Sequence, residues 1–360
     1  QEVTGAEADE LALFVRAQAS LGHIDSVVPQ AQGLDTSLAQ VSLSLARRTA
    51  DAWATVDAAL EADPAENALR TDVADSKPAV WWTLKYKTRW LLDGSIVSGN
   101  PIFTNFLWNE LGRCTDLHEL KSWMEANTPI VKELTAAAFA MEAPRWTAFF
   151  GEDGLDLAAA KRGQALFTGH CAECHGTYEK AWDAGVELSL GDAVRTTRVV
   201  YHERTPVLDV GTDGQRAKGM AAFADRLNML EISQWMGTVV EVQTGYVPPP
   251  LDGIWARYPY LHNQSVPTLC DLLLPAEERT KEFWMGPDED PETDYDSACV
   301  GLPVGAAVPE GWKADDRLHM DTTRPGLSNV GHDAWLKNAD GTPTLTASDR
   351  SDLVAFLKTL

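Results

Sequence analysis

The sequence is poor in cysteine and in positive charge, and it contains no long apolar run. Only five cysteines occur in 360 residues. No stretch of eighteen or more apolar residues is present, so we expect no membrane span. Asp and Glu outnumber Lys and Arg by 53 to 30, which gives a net charge of −23. A surface of this charge repels nucleic acid and anionic membranes, and it favours a basic partner or a saline habitat.

Two of the few cysteines lie close together, in the stretch Cys171-Ala-Glu-Cys-His175. A Cys-x-x-Cys pair followed directly by histidine is the attachment signature of a c-type haem. One helical turn lets the two sulfurs, of Cys171 and Cys174, add to the two vinyl groups on one porphyrin edge. His175 can then reach the iron from one side, which makes it the predicted proximal ligand. We expect one covalent haem c.

A zinc site and a redox dithiol are the other uses of a Cys-x-x-Cys pair. A zinc site needs a second pair of ligands at matching spacing, and Cys114, Cys270 and Cys299 are isolated from one another. A redox dithiol has no use for a histidine at position 175. Haem attachment is therefore the favoured interpretation.

Apolar periodicity predicts a mainly α-helical protein. We expect a helical amino-terminal domain over residues 1–150, without a clear haem motif, and a cytochrome c haem domain over residues 151–360. The predicted helices cover Glu10 to Gly22, Asp35 to Leu60, Phe103 to Leu111, Leu117 to Ala126, Pro129 to Met141, Leu155 to Gly169 and Ser348 to Leu360.

The motif also predicts a compartment. Haem is attached by thioether bonds outside the cytoplasmic membrane, so we expect a periplasmic or secreted protein. The start at Gln1, without methionine, is typical of a processed end. Because thiols oxidise in that compartment, Cys270 and Cys299 are candidates for a disulfide.

An incomplete second motif is present in the amino-terminal half. Cys114-Thr-Asp-Leu-His118 has the haem-attachment spacing with leucine in place of the second cysteine. It either holds a second haem by a single thioether, or Cys114 is a free buried cysteine and His118 lies at an exposed helix start. We favour the second interpretation because buried free cysteine is common.

Several stretches together resemble a known family. They are the 171–175 motif, Tyr258-Pro-Tyr-Leu-His-Asn-Gln-Ser-Val-Pro-Thr-Leu269, the pair Gly331-His332 and the ending Phe356-Leu-Lys-Thr-Leu360. This part of the chain resembles the carboxy-terminal haem domain of the di-haem cytochrome c peroxidase superfamily, and within it the branch of the haem-containing rubber oxygenases. The resemblance implies that this haem transfers electrons, while an amino-terminal haem performs catalysis. No second Cys-x-x-Cys-His motif precedes residue 171, so the catalytic half is not evident.

The group opposite His175 determines what the iron can do, since a second strong ligand blocks access to it. His332 matches the position at which the resembling oxygenases carry a distal histidine. Met285 is the alternative implied by the peroxidases. Bis-histidine ligation with His332 is the favoured prediction.

Two further residues are candidates for contact with the cofactor. Arg257 can neutralise a haem propionate, because a guanidinium suits a carboxylate well. His262 is expected to pack or to bond a propionate rather than to ligate iron. The acidic loop from Asp288 to Asp296 could hold calcium, but its spacing does not match the helix-loop-helix calcium pattern, so a solvated loop is favoured.

Two functions follow as hypotheses. The first is an electron carrier with a six-coordinate haem, working between redox partners that include a basic protein. The second is a peroxidase or oxygenase with an open distal face or a second haem at Cys114 and His118. The chain could also be a subunit of a larger redox assembly.

Overall fold

The computed structural model describes residues 41, 44–63, 65, 77, 79–113, 115–152, 154–221, 224–287 and 289–360. The predicted helix over Glu10 to Gly22 lies outside these residues, as does Cys114. The α-helices are α1 (Ala58–Ala62), α2 (Pro101–Gly112), α3 (Leu117–Phe139), α4 (Trp146–Phe150), α5 (Leu157–His170), α6 (Ala172–His175), α7 (Leu190–Ala193), α8 (Gln215–Met220), α9 (Ala224–Met229), α10 (Glu231–Met236), α11 (Leu269–Leu272), α12 (Glu310–Lys313) and α13 (Ala347–Leu357).

Short 3₁₀ turns and four strands complete the described secondary structure, and long irregular connections join them. The 3₁₀ turns cover Trp81–Tyr86, Ala181–Ala184, Ile254–Ala256, Ala276–Glu278, Gly305–Ala307, Asp316–Leu318 and Ala334–Leu336. Strands β1 (Thr177–Lys180) and β2 (Thr196–Val200) pair antiparallel, as do β3 (Glu282–Trp284) and β4 (His319–Asp321). The predicted mainly α-helical class is confirmed.

Side-chain caps fix where the main helices begin. The Asn100 carboxamide accepts from two amides at the start of α2, and Pro101 occupies its first position. The Asp116 carboxylate caps α3 and the Asp156 carboxylate caps α5 in the same way. Thr346 and Asp349 form a reciprocal capping box at α13. These polar residues directly precede the helices, so the local sequence determines where each helix begins.

Helix α3 differs from the prediction of two helices separated at Pro129. The structure has one continuous helix through that proline. Proline deprives only the carbonyl four residues earlier of its partner. Pro129 and Glu125 are both exposed, so water can satisfy that carbonyl and the helix continues. The predicted Asp35 to Leu60 helix is also interrupted, because residues 49–57 form turns before α1.

Three hydrophobic clusters form the described core. The first joins α2 and α3 to side chains between residues 220 and 240. The second packs α5 and α13 around residues 251–273 and 295–300, and the third surrounds β3 and β4. Residues 220–240 thus pack with the amino-terminal part of the chain, and the boundary at residue 150 stays a prediction.

The disulfide between Cys270 and Cys299 is present, with a Cα–Cα distance of 5.1 Å. The Leu269 amide donates to the Cys299 carbonyl at 3.0 Å, so the backbone already brings the two cysteines together. Closing a loop of this length contributes roughly 3 to 4 kcal/mol in the loop-entropy treatment. The bridge ties α11 to the second cluster.

None of the helices in the described ranges has both the length and the apolar character needed to cross a lipid bilayer. The longest of them, α3, exposes the charged side chains of Glu119, Glu125, Lys132 and Glu133.

Helices α5 and α13 cross at Gly163. A Cβ atom there would lie 2.0 Å from the Asp352 carbonyl oxygen and 2.8 Å from the Cβ of Phe356. The Arg162 guanidinium clamps the same crossing with two hydrogen bonds of 2.7 Å to the Asp352 carboxylate. Close approach at this point sets the position of the segment that follows α5.

The close crossing predicts that substitution by alanine destabilises the protein at Gly163 but not at Gly169. Gly163→Ala should lower the free energy of unfolding by about 1 to 3 kcal/mol, since the added methyl group overlaps the α13 backbone. Gly169→Ala is the matched control, because a Cβ atom at that position would meet nothing within 4 Å, and it should be neutral or stabilising by up to about 1 kcal/mol. Urea unfolding of the two variants measures both values. Equal effects would contradict the close crossing.

Candidate functional site

The Cys171–His175 motif forms one helical turn at the end of α5. Cys171 ends α5 and precedes α6, and the His175 amide donates to the Cys171 carbonyl at 2.9 Å. Gly176 leaves the turn with φ of 78°, where a side chain would be strained. Cys171 and Cys174 are not joined by a disulfide. The turn therefore presents two thiols and an imidazole on one short segment.

The protonation of these thiols disfavours the dithiol interpretation. Burial raises the pKa of Cys171 to about 12, with a smaller contribution from Cys174. Burial also raises the pKa of Cys174, and Glu173 adds to this effect. Redox dithiols react as thiolates and lie where their pKa is lowered. Burial of Cys171 and Cys174 instead raises the pKa of both thiols.

The orientation of His175 is set by a backbone carbonyl. Its Nδ1 lies 2.8 Å from the carbonyl oxygen of Pro249. Because a carbonyl can only accept, Nδ1 carries the proton and donates, which leaves the Nε2 lone pair free for a metal ion. The Tyr178 hydroxyl donates to the His175 carbonyl at 3.0 Å and fixes the backbone of the same residue.

Three consecutive proline carbonyls hold three groups of the site. The Tyr201 hydroxyl donates to Pro248 at 2.6 Å, His175 to Pro249, and Arg257 Nη1 to Pro250 at 2.9 Å. Prolines have no amide proton and a fixed φ, so a run of them stays extended with its carbonyls available. The three carbonyls of this run therefore serve as a row of hydrogen-bond acceptors.

His332 faces His175 across the site. The centres of the two imidazole rings are 6.1 Å apart, and their planes meet at 64°. Two imidazoles that bind one metal ion from opposite sides, with bonds of about 2 Å each, have ring centres about 6 Å apart. The separation therefore fits a single iron between the two rings.

Both imidazoles are neutral at neutral pH. Burial lowers the pKa of His175 to about 4, and the positive charge of Arg257 adds to this. Burial lowers the pKa of His332 to about 3, with further contributions from His175 and Arg279. A neutral imidazole has the lone pair that a metal requires. Moreover, His332 Nδ1 is buried without a hydrogen-bond partner in the described ranges. Burial of an unpaired nitrogen costs free energy unless another group binds that nitrogen.

The loop that carries His332 is held in an unusual conformation. His332 has φ of 57°, in the left-handed region, and its amide donates to the Val210 carbonyl at 2.8 Å. A Cβ at Gly331 would lie 2.4 Å from the Gly211 backbone, so only glycine permits this contact. The buried Arg279 donates to the Gly331 carbonyl at 2.9 Å. Such strain persists where the surrounding structure fixes it.

Met285 and His262 lie in other surroundings. Met285 packs against the third cluster, around β3 and β4. The His262 ring stacks on Tyr246 at 3.7 Å between centres, and its Nε2 is buried without a partner among the described residues. Arg257 is 5% exposed and its charge acts on His175, so of these three it is the one that approaches the site.

The remaining predicted positions are less informative. Cys114 lies outside the described residues, and the exposed His118 stacks on Trp53 at 3.6 Å between ring centres. In the acidic loop the Asp294 carboxylate accepts from the amides of Glu289 and Asp290 at 3.1 and 3.0 Å. The Asp294 carboxylate thus stabilises the conformation of the loop through these two hydrogen bonds.

Comparison with known proteins identifies the region around the proline run. Residues 245–285 match the family described as RoxA-like, cytochrome c-like. The family resemblance is confirmed. This RoxA-like cytochrome c-like match covers all three proline acceptors, Arg257, His262 and Met285, and it supports a c-type cytochrome that holds haem c.

Two curated relatives come from Sinorhizobium fredii. The uncharacterized protein y4iJ is 31% identical over 265 residues, covering 60% of this chain and 41% of that protein. The uncharacterized protein y4iM is 30% identical over 223 residues, covering 57% of this chain and 49% of that protein. The chain thus spans less than half the length of either relative.

Two residues of the site were not predicted from the sequence. The Pro249 carbonyl accepts from His175, and the Arg279 guanidinium donates to the Gly331 carbonyl. The proline run was visible as a pattern, but no local signal showed that its carbonyls face His175 from 74 residues away. Arg279 carries no sequence signal that distinguishes it.

Burial of His262 predicts an acid-dependent loss of stability. Burial, with a smaller effect of Arg216, lowers its pKa from 6.5 to about 3. The unfolded chain binds a proton below pH 6.5 that the folded chain excludes until about pH 3. Stability should therefore fall between these values as the pH is lowered, by up to about 1.4 kcal/mol per pH unit from this group.

The variant His262→Phe tests this effect, since a phenyl ring can keep the stack on Tyr246 but cannot be protonated. Free energies of unfolding measured in urea from pH 6.5 to 4.5 should fall less steeply than in the wild type, by up to one proton. An unchanged slope would show that His262 is not held neutral in the fold.

Proposed function

We propose that this protein is an electron-relaying c-type cytochrome of the periplasm or cell exterior. One haem c would be bound covalently by Cys171 and Cys174, and His175 and His332 would hold its iron. Redox proteins on either side donate and accept single electrons. The observation that carries the proposal is the pair of neutral imidazoles whose ring centres are 6.1 Å apart.

The residues of the chain have distinct tasks in such a site. A bound haem c supplies a one-electron iron couple. The two thiols supply the thioether sulfurs, and the turn of α6 keeps them on one edge. Pro249 holds His175 in the tautomer whose Nε2 is free. Arg279 and the Gly211–Gly331 contact hold the loop that carries the second imidazole.

Two strong protein ligands favour electron relay over catalysis. An iron held by both imidazoles would have no position left for peroxide or oxygen, whereas catalytic haems keep one open. No change of ligation is then needed between oxidation states. Bis-histidine ligation also favours a lower reduction potential than methionine ligation does.

The net charge of the chain and the expected compartment indicate what kind of redox partner would bind. A net charge of −23 steers a basic redox protein toward the surface by long-range attraction. Thioether attachment and the Cys270–Cys299 disulfide both suit an oxidising compartment. We infer that the physiological partner, or a further subunit of the same redox assembly, presents a positive surface.

The variant His332→Ala tests the assignment of the second ligand. Wild-type protein should show a low-spin spectrum that carbon monoxide and cyanide do not change, since no position on the iron is open. His332→Ala should give a high-spin ferric spectrum and bind both ligands. Absorption spectra of the ferric and ferrous forms measure this.

Met285→Leu is the matched control, because Met285 packs in the third cluster, and it should keep the wild-type spectrum. If Met285→Leu opens the iron while His332→Ala does not, the ligand assignment is wrong. If the wild type itself binds carbon monoxide, relay by a six-coordinate haem is excluded and the peroxidase or oxygenase alternative takes its place.

A further inference from the structure

Trp335 makes two contacts with His332, the proposed second ligand of the iron. Its indole Nε1 donates to the His332 carbonyl at 3.1 Å. Its ring also meets the His332 imidazole edge-on, with 6.5 Å between the ring centres and 81° between the planes. One tryptophan thus contacts both the backbone and the side chain of His332, within the loop of residues 331–335, here called the His332 loop.

A further ring contact joins Trp335 to the helix that leads into the haem motif. The rings of Trp335 and His170 stack, with centres 5.7 Å apart and an angle of 27° between their planes. His170 is the last residue of α5 and directly precedes Cys171. Because stacked aromatic pairs attract one another, the indole holds the His332 loop against the end of α5.

Trp335 is itself anchored by the chain that follows it. The Thr344 hydroxyl donates to the Trp335 carbonyl at 2.8 Å, and the Thr344 amide donates to the Leu336 carbonyl at 2.9 Å. Leu336 is buried in the second cluster, and the indole of Trp335 packs against the same cluster. The 3₁₀ turn Ala334–Leu336 therefore gives the indole a defined position between the two elements that it contacts.

These contacts close a ring of residues around the site. Along the chain, His170 is followed by Cys171 and then by the turn that ends at His175. Through space, His170 stacks on Trp335, which contacts His332, and the imidazole of His332 faces that of His175. The supports described above act on one imidazole or on the other, whereas Trp335 joins the two sides.

We propose that Trp335 is a positioning residue, which sets the separation of His175 and His332 by holding the His332 loop against the end of α5. The inference rests on the proposed function, because the separation of the two rings matters only if both bind one iron. Loss of the indole removes a ring stack and a hydrogen bond from the His332 loop. The His332 imidazole then detaches from the iron more readily.

Urea titrations that follow ligation and folding separately test this role. In each holoprotein, the Soret absorption reports whether His332 is bound, because loss of one strong ligand converts a low-spin iron to high spin. Far-ultraviolet circular dichroism reports whether the chain is folded. In the wild type the two transitions should coincide. In Trp335→Leu ligand loss should precede unfolding, with an equilibrium constant for detachment about tenfold larger than in the wild type.

Two further variants separate the ring contact from other effects of the substitution. Trp335→Phe keeps a ring for the stack but loses the Nε1 donor, so its ligand loss should fall between Trp335→Leu and the wild type. Trp53→Leu is the matched control: Trp53 is also a partly buried indole stacked on an exposed histidine, His118, but it packs in the first cluster. In Trp53→Leu the two transitions should coincide.

His170→Ala tests the same contact from its other side. Because His170 is exposed, this variant should fold, and it decides the question if Trp335→Leu does not accumulate as holoprotein. Ligand loss should again precede unfolding, and His170→Phe, which restores a ring for the stack, should bring the two transitions back together.

The outcomes separate this inference from the proposed function. If ligand loss coincides with unfolding in Trp335→Leu and in His170→Ala, as in Trp53→Leu, then Trp335 serves only the stability of the fold and the inference is wrong. The relay is left intact by that result. If the wild type contains no haem, or is high-spin without urea, the proposed function fails instead.

Discussion

The hydrogen bond from His175 Nδ1 to the Pro249 carbonyl is the interaction on which the site depends. It determines which ring nitrogen is protonated and therefore which one is available to iron. The flanking carbonyls of Pro248 and Pro250 hold Tyr201 and Arg257. A segment of three prolines cannot use its carbonyls in a helix or a central strand, so they remain for side chains. The rigid backbone then positions all three donors relative to one another.

The rest of the fold brings this acceptor row and the haem motif together. The crossing of α5 and α13 at Gly163 positions the α6 turn from one side. The second hydrophobic cluster and the Cys270–Cys299 bridge position residues 251–273 from the other. The strained loop at His332 completes the arrangement, since Arg279 and the Gly211–Gly331 contact hold its ring opposite His175. Each half of the ligand pair is thus supported independently.

Local features of the structure could be predicted from the sequence. Apolar periodicity predicted the helices over residues 103–111, 155–169 and 348–360 close to their observed bounds. The spacing of the two cysteines and the histidine at residues 171–175 predicts haem attachment. The prediction of a break at Pro129 was wrong because the effect of a proline depends on whether the freed carbonyl is solvated, which is a property of the folded surface.

Contacts made through the backbone over long distances could not be predicted. Nothing in the residues near Pro249 or Arg279 shows which partner each will meet, because backbone carbonyls are chemically alike at every position. The packing of residues 220–240 with the first cluster has the same origin. The resemblance to the rubber-oxygenase branch predicted His332 as the second ligand, and the structure places the centre of its ring 6.1 Å from that of His175.

Intact-mass spectrometry of the purified, denatured chain tests the central claim most directly, since thioether bonds survive denaturation. The account predicts the mass of the polypeptide plus one haem, with the addition lost in the Cys171→Ser/Cys174→Ser double variant. A mass equal to that of the bare polypeptide, or a haem that remains attached in the double variant, would contradict it.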